Sequence, residues 1–140
     1  MEYNPQHRTW EALCGRGLDD KFLVLAFALR AQELTGLTLR RSILEEFPNG
    51  SGIGPGVTCL LLLSESHLAI HTAPEKRLLY LDIFSCIPYP HGGIAPLLRK
   101  LFGASRIEEH GVPLLLHLKP NRDFLSELQE LFAAHYSSCI

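Results

Sequence analysis

Residues 57–86 read "VTCLLLLSESHLAIHTAPEKRLLYLDIFSC" and leave little freedom of fold. Residues 57–63 form a short apolar run of strand length, and 64–72 alternate and also read as extended. "APEKR", 73–77, is a turn, after which 78–86 return as a strand rich in aromatic and branched residues. With so short a connection, the two long runs are expected to be antiparallel neighbours. Strangely for such an apolar context, the leucines of 60–63 run directly into two serines, a carboxylate and a histidine, with His71 close behind.

The flanking chain supplies helices. Residues 18–34 place Phe22, Leu23, Leu25, Ala26, Leu29 and Leu34 at helical spacing, with Asp19 and Asp20 where a helix dipole favours negative charge and Gly36 as a stop. Residues 38–47 suggest a short strand, and "FPNGSGIGPG", 47–56, a loop or wide turn. Beyond "PYPHGG", 94–102 read as a helix closed by Gly103 and 112–118 as a strand. Residues 123–136 read as an amphipathic helix with Phe124, Leu125, Leu128, Leu131 and Phe132 on one stripe. The expected architecture is α+β: a two-layer sandwich in one domain, 1–140, with an antiparallel sheet and helices on one face. The other sheet face then needs a cover, either a second copy or a functional cavity.

Totals exclude several classes. The 140 residues are 46% hydrophobic and 20% charged with a net charge of −2, so there is no electrostatic case for nucleic acid. No apolar run approaches the roughly 20 residues of a membrane span. The first dozen residues lack the apolar centre of a signal peptide, so a cytoplasmic location is expected. Cys14, Cys59, Cys86 and Cys139 are far apart, against a zinc ribbon or dithiol redox site. His67 and His71 are four apart but lack a clear third ligand, so no metal is expected.

"SESHLAIHTAPE" followed by "LDIFSC" resembles the bacterial and archaeal S-adenosylmethionine decarboxylases, pyruvoyl-dependent enzymes of polyamine synthesis. The resemblance is strongest over 57–86. It implies self-cleavage between Glu65 and Ser66 into a β chain, 1–65, and an α chain, 66–140. The Ser66 hydroxyl attacks the preceding carbonyl, elimination follows, and hydrolysis leaves a pyruvoyl group derived from Ser66. That ketone condenses with a substrate amine and draws electrons during decarboxylation.

The same resemblance gives Thr58 as a hydroxyl donor in processing, His71 as the base for elimination, and Cys86 as the acid that reprotonates the substrate. It gives Glu75 a place on the substrate ribose and Phe47 one against adenine, and it implies a homodimer with sites near the interface. Taken alone, each has a plainer reading: a strand serine or threonine, a buried cysteine, a turn carboxylate, a core phenylalanine. Amide-to-ester rearrangement needs strain and a stabilised oxyanion. Ser66 and His71 would face opposite sides of an unbroken strand, so a turn or bulge is expected at 65–66.

Two departures bear on substrate. Many family members read "HTWPE" where this chain has Ala73, and the upstream "FHxF" is replaced by "SILEEFPNG". Acidic Glu45 and Glu46 leave L-ornithine or L-arginine as alternative substrates, and a non-catalytic regulatory paralogue is a third reading. Retention of Glu75 favours S-adenosylmethionine.

Overall fold

The computed structural model describes residues 4–48, 54–114, 126 and 128–134. Its elements run β1 (Gln6–Leu13), α1 (Lys21–Thr35), β2 (Leu39–Phe47), β3 (Gly56–Leu63), β4 (Ser66–Ala73), a 3₁₀ turn (Pro74–Lys76), β5 (Leu78–Ser85), α2 (Ile94–Phe102) and β6 (Arg106–Gly111). The strands form one sheet in the order β2-β3-β4-β5-β1-β6, and every neighbouring pair is antiparallel. This is the expected α+β architecture, with the β4–β5 hairpin at the turn expected over 73–77, while the run expected as extended over 57–72 reverses at Ser64–Glu65 into the separate strands β3 and β4.

Helix α1 starts where Asp20 Oδ1 accepts the N–H groups of Phe22 and Leu23, satisfying donors left over by the first turn. It stops at Gly36, whose φ of 71° only glycine adopts without penalty. Phe27 of α1 meets Phe102 of α2 with ring centroids 5.4 Å apart. Leu61, Leu68, Ile70, Leu79, Leu81 and Ile83 are buried on the sheet face that joins this core. Each fully buried side chain of this kind contributes about 1.5–3 kcal/mol.

Alternation puts Ile43, Leu60, Leu62 and Tyr80 on the opposite face. Ile43 is 61% and Leu62 53% exposed, so the described residues leave this face uncovered.

Three expectations are corrected. Gln6–Leu13 is a strand that the sequence reading left unassigned, inserted between β5 and β6. The strand expected at 112–118 lies earlier, at Arg106–Gly111; residues 112–114 are not part of it, although the Val112 N–H still donates to the His7 carbonyl at 2.7 Å, and 115–118 lie outside the described residues. In α1 the buried positions are Val24, Phe27, Ala28, Ala31 and Thr35, whereas Phe22 is 69% exposed. The helix is apolar nearly all round, so tertiary packing chose the face. In the expected C-terminal helix, 126 and 128–134 are helical, and the rest of 123–136 lies outside the described residues. No helix among the described residues is long and apolar enough to cross a membrane.

Candidate active site

Leu63 pairs with Ser66, so β3 reverses into β4 through the two residues Ser64 and Glu65. Three hydrogen bonds from one residue hold this turn. The Thr38 carbonyl accepts the Ser64 N–H at 2.9 Å, its own N–H donates to Glu65 Oε2 at 2.9 Å, and its hydroxyl donates to Glu65 Oε1 at 2.9 Å. Desolvation pushes the Glu65 carboxyl up, but the hydrogen bonds from Thr38 and from its own N–H outweigh it and hold it below the usual carboxylate range. The grip on the carboxylate is thus lost as pH falls through this lowered value.

The backbone of the same turn is held from the other side. The Cys86 N–H donates to the Glu65 carbonyl at 2.9 Å, and the Cys86 carbonyl accepts the Asn4 N–H at 3.1 Å. Ser66 has φ of 154°, a positive value that costs a non-glycine residue about 1–3 kcal/mol. A turn is therefore present, at Ser64–Glu65, with strain at Ser66 and a backbone donor on the Glu65 carbonyl; it precedes Ser66, however, so Ser66 and His71 stay on one unbroken strand and face opposite sides. Ser66 faces Ser85 across the β4–β5 ladder, one residue before half-buried Cys86.

The remaining expected residues gather elsewhere. Thr58 pairs with His71, and Thr58 Oγ1 lies 3.0 Å from His71 Nδ1. Phe47 pairs with Gly56 at the same end of the sheet, and Glu75 sits in the 3₁₀ turn that follows β4. Gly54 lies so close to Glu75 that a Cβ there would fall 2.6 Å from Oε2. Five residue steps along the strand lead from Ser66 to His71, a span of roughly 16 Å. One chain therefore brings together Glu65, Ser66 and Cys86 at one end of the hairpin, and Thr58, His71, Phe47 and Glu75 at the other. Thr58, expected near the Glu65 carbonyl, is not beside it in its own chain; the Cys86 N–H is.

Neighbouring positions differ from simple expectation. Thr72 of the "HTAPE" stretch is buried, accepts the Val57 N–H at 3.0 Å and donates to the Leu18 carbonyl at 2.7 Å, so it joins β4 to β3 and to the approach of α1. Glu45 pairs with Thr58, while Glu46, on the other face, lies 3.6 Å from Lys21 Nζ. The two carboxylates point apart and do not form one cradle for a cationic side chain.

His67 Nε2 lies 3.0 Å from Asp82 Oδ1, and His7 Nε2 lies 2.7 Å from Asp82 Oδ2, with the Phe84 ring between the two imidazoles. His67 and His71 share a face but stand roughly 13 Å apart along the strand, too far for one ion. Among the described residues no three His, Cys, Asp or Glu side chains come together as a metal site. The sequence reading missed Asp82, His7 and Thr38. The first two would follow from recognising β1, since His7 and Phe84 are cross-strand partners.

Burial pushes the thiols of Cys14 and Cys59 up to about 11. In the folded protein both are expected to resist iodoacetamide at pH 8, while half-buried Cys86 is alkylated first among these three. Peptide mapping after brief labelling checks this; modification of Cys59 ahead of Cys86 would overturn the contrast.

A family model described as S-adenosylmethionine decarboxylase matches residues 12–113. The S-adenosylmethionine decarboxylase proenzyme 2 of Bacillus cereus (strain ZK / E33L) is 40% identical over 70 residues, covering 49% of this chain and 52% of that protein. The S-adenosylmethionine decarboxylase proenzyme of Saccharolobus solfataricus is 41% identical over 56 residues, 39% of this chain and 44% of that one. The chain spans about half the length of the curated relatives it matches. The crystal structure of the adenosylmethionine decarboxylase from Aquifex aeolicus VF5 superposes with a TM-score of 0.61 at 20% identity, over 87% of this chain and 99% of that one, a likeness of fold.

Proposed function

The chain belongs to the S-adenosylmethionine decarboxylase family, and from that premise we propose that it cleaves itself between Glu65 and Ser66 and then decarboxylates S-adenosylmethionine. The observation that carries this reading is the turn itself: a strained Ser66 joined to a carbonyl that already accepts a hydrogen bond from Cys86 N–H. In the first step Ser66 Oγ bonds to the Glu65 carbonyl carbon and the Glu65–Ser66 C–N bond breaks. The hydroxyl proton ends on the freed amine. Strain at Ser66 raises the starting amide toward the ester, and the Cys86 N–H stabilises the oxyanion between them.

Elimination then removes the Cα proton and breaks the Cβ–O bond, releasing Glu65 as a carboxylate terminus. Water displaces ammonia from the dehydrated residue and leaves the pyruvoyl group at position 66. That position fits the group, because the strand ladder to Ser85 fixes it beside Cys86. The pyruvoyl group supplies a carbonyl that withdraws electrons as carbon dioxide is lost. Cys86 is the proton donor to the product carbon, the thiol acting as a general acid. Glu75 and Phe47 are the residues for ribose and adenine.

The roughly 16 Å between Ser66 and His71 makes a second copy part of this reading. The outer sheet face carries Ile43, Leu60, Leu62 and Tyr80 exposed, along with Thr58 and His71. Two copies docked face to face in opposite senses bury this surface and bring Thr58, His71 and Glu75 of one copy to the end of the sheet where the other copy's Ser66 opens β4 beside Cys86; Ser66 alternates toward the inner face, so it is met at the rim of the sheet, across the turn. The function is tested by carbon dioxide release from cleaved, purified protein given S-adenosylmethionine, L-ornithine and L-arginine in parallel. Release from S-adenosylmethionine alone is expected. Release only from either of the other two, or from none, overturns the assignment.

A further inference from the structure

We propose that Thr38 is a positioning residue for self-cleavage, acting through the Glu65 side chain; this rests on the self-processing reading above. Thr38 lies 27 positions before Glu65 yet makes three of the bonds that hold the turn, two of them to the carboxylate. Glu65 is thus gripped twice. Its side chain is fixed to the loop between α1 and β2, and its carbonyl is fixed to Cys86 at the end of β5. A residue anchored at both ends cannot rotate to relax the positive φ of the next one, so the grip keeps Ser66 in its strained form and keeps the carbonyl on its donor. The Glu65 carboxylate takes no part in bond making. It is a handle, and Thr38 is what holds it.

The geometry also says which part of Thr38 matters. Its N–H survives any substitution other than proline, so the side-chain contribution is the hydroxyl bond to Oε1. Hydrogen bonds to a charged acceptor are the strong ones, and losing one here is expected to slow cleavage about ten- to a hundredfold.

The test follows newly synthesised chains in cell-free translation by gel and intact mass. Thr38→Val is expected to slow fragment formation by that factor while the thermal melt of the full-length chain stays near that of wild type. Thr38→Ser, which keeps the hydroxyl, is expected to restore the rate. Hydroxylamine, which cuts the ester but not the amide, is expected to release less fragment from Thr38→Val. In the double variant with Glu65→Ala, Thr38→Val is expected to add nothing to the defect of Glu65→Ala alone.

Cleavage of Thr38→Val at the wild-type rate, failure of Thr38→Ser to rescue, or full additivity in the double variant would each overturn the proposal. Should Thr38→Val lose its melting transition, Glu65→Gln carries the test, because it leaves Thr38 intact and removes the charge it holds. Wild-type speed in Glu65→Gln then overturns the proposal. A wild-type chain that never cleaves brings down the self-processing reading, whereas a cleaving wild type with indifferent variants brings down only the role of Thr38.

Discussion

Ser66→Ala is expected to remain a single uncut chain of 140 residues, with cleavage reduced by about 10⁴-fold or more, the scale on which removing a covalent nucleophile acts. The substitution removes one oxygen and leaves the turn otherwise supplied. Thr38 still holds Glu65, and the Cys86 N–H still meets the Glu65 carbonyl. Alanine is no more comfortable than serine at positive φ, so the strain persists and the fold should melt near the wild-type temperature. Intact mass separates the outcomes directly: two fragments, 1–65 and 66–140, from wild type, and one full-length species from the variant. Reduction with borohydride in the presence of an amine gives a second readout, labelling residue 66 of wild type and nothing in the variant. Fragments from Ser66→Ala at wild-type yield would show that another group cuts the chain.

The sheet centre was legible because its strands are buried on one face and closely linked. β3, β4 and β5 alternate cleanly or run apolar, and their connections are too short for anything but antiparallel hairpins. β1 was not legible for a physical reason. Its core-facing positions include Arg8 with Trp10 and Ala12, and Arg8 is placed there by an ion pair to Glu109 of β6, a partner about a hundred residues away. A charge on the inner face breaks the period that would announce a strand. β6 has the same difficulty, since "RIEEHG" is half charged and gains its strand form by pairing with β1. The apolar stretch after it therefore drew the expectation of a strand instead. For α1 the difficulty is the reverse, an excess of apolar residues that leaves the buried face to be chosen by packing.

The candidate site shows a similar division. Its residue types and their order are written in 57–86, but their distances are not. The expectation of a bend at 65–66 follows from the two-residue period of a strand and needs no structure. That Cys86 approaches the Glu65 carbonyl through its N–H depends on the β4–β5 register carrying one residue past its last pair. Thr38 is a longer-range case, meaningful only once the loop after α1 has folded back over the hairpin. The departure at Ala73 is read more narrowly in the structure: it ends β4 next to the turn that bears Glu75, at the end of the sheet remote from Ser66. Substitution there leaves the Ser64–Glu65 turn every hydrogen bond it has.

His71→Ala and Ser66→Ala are each expected to be uncleaved when made alone, yet co-expression of the two is expected to yield cut His71→Ala chains. The argument is one of distance. Within a chain His71 stands roughly 16 Å from Ser66 along β4, beyond the reach of a proton transfer that needs hydrogen-bond contact. Its hydrogen-bond neighbour is Thr58, and both lie on the sheet face that the described residues leave uncovered. If two copies dock by that face in opposite senses, a Ser66→Ala chain lends its intact Thr58 and His71 to the Ser66 of the other chain across the rim of the sheet, where Ser66 opens β4. Only the His71→Ala chain in a mixed pair then has both a nucleophile and a base. Distinguishable tags on the two variants allow intact mass to show which one is cut, and mixed pairing at random limits the cut share to about half of the His71→Ala chains, the pairing arithmetic of a symmetric dimer. Cleavage of His71→Ala on its own at wild-type speed would remove His71 from processing. No cleavage in the mixture, with mixed dimers demonstrated by pull-down through either tag, would mean that each chain serves itself and that the turn opens far enough to bring Ser66 to its own His71.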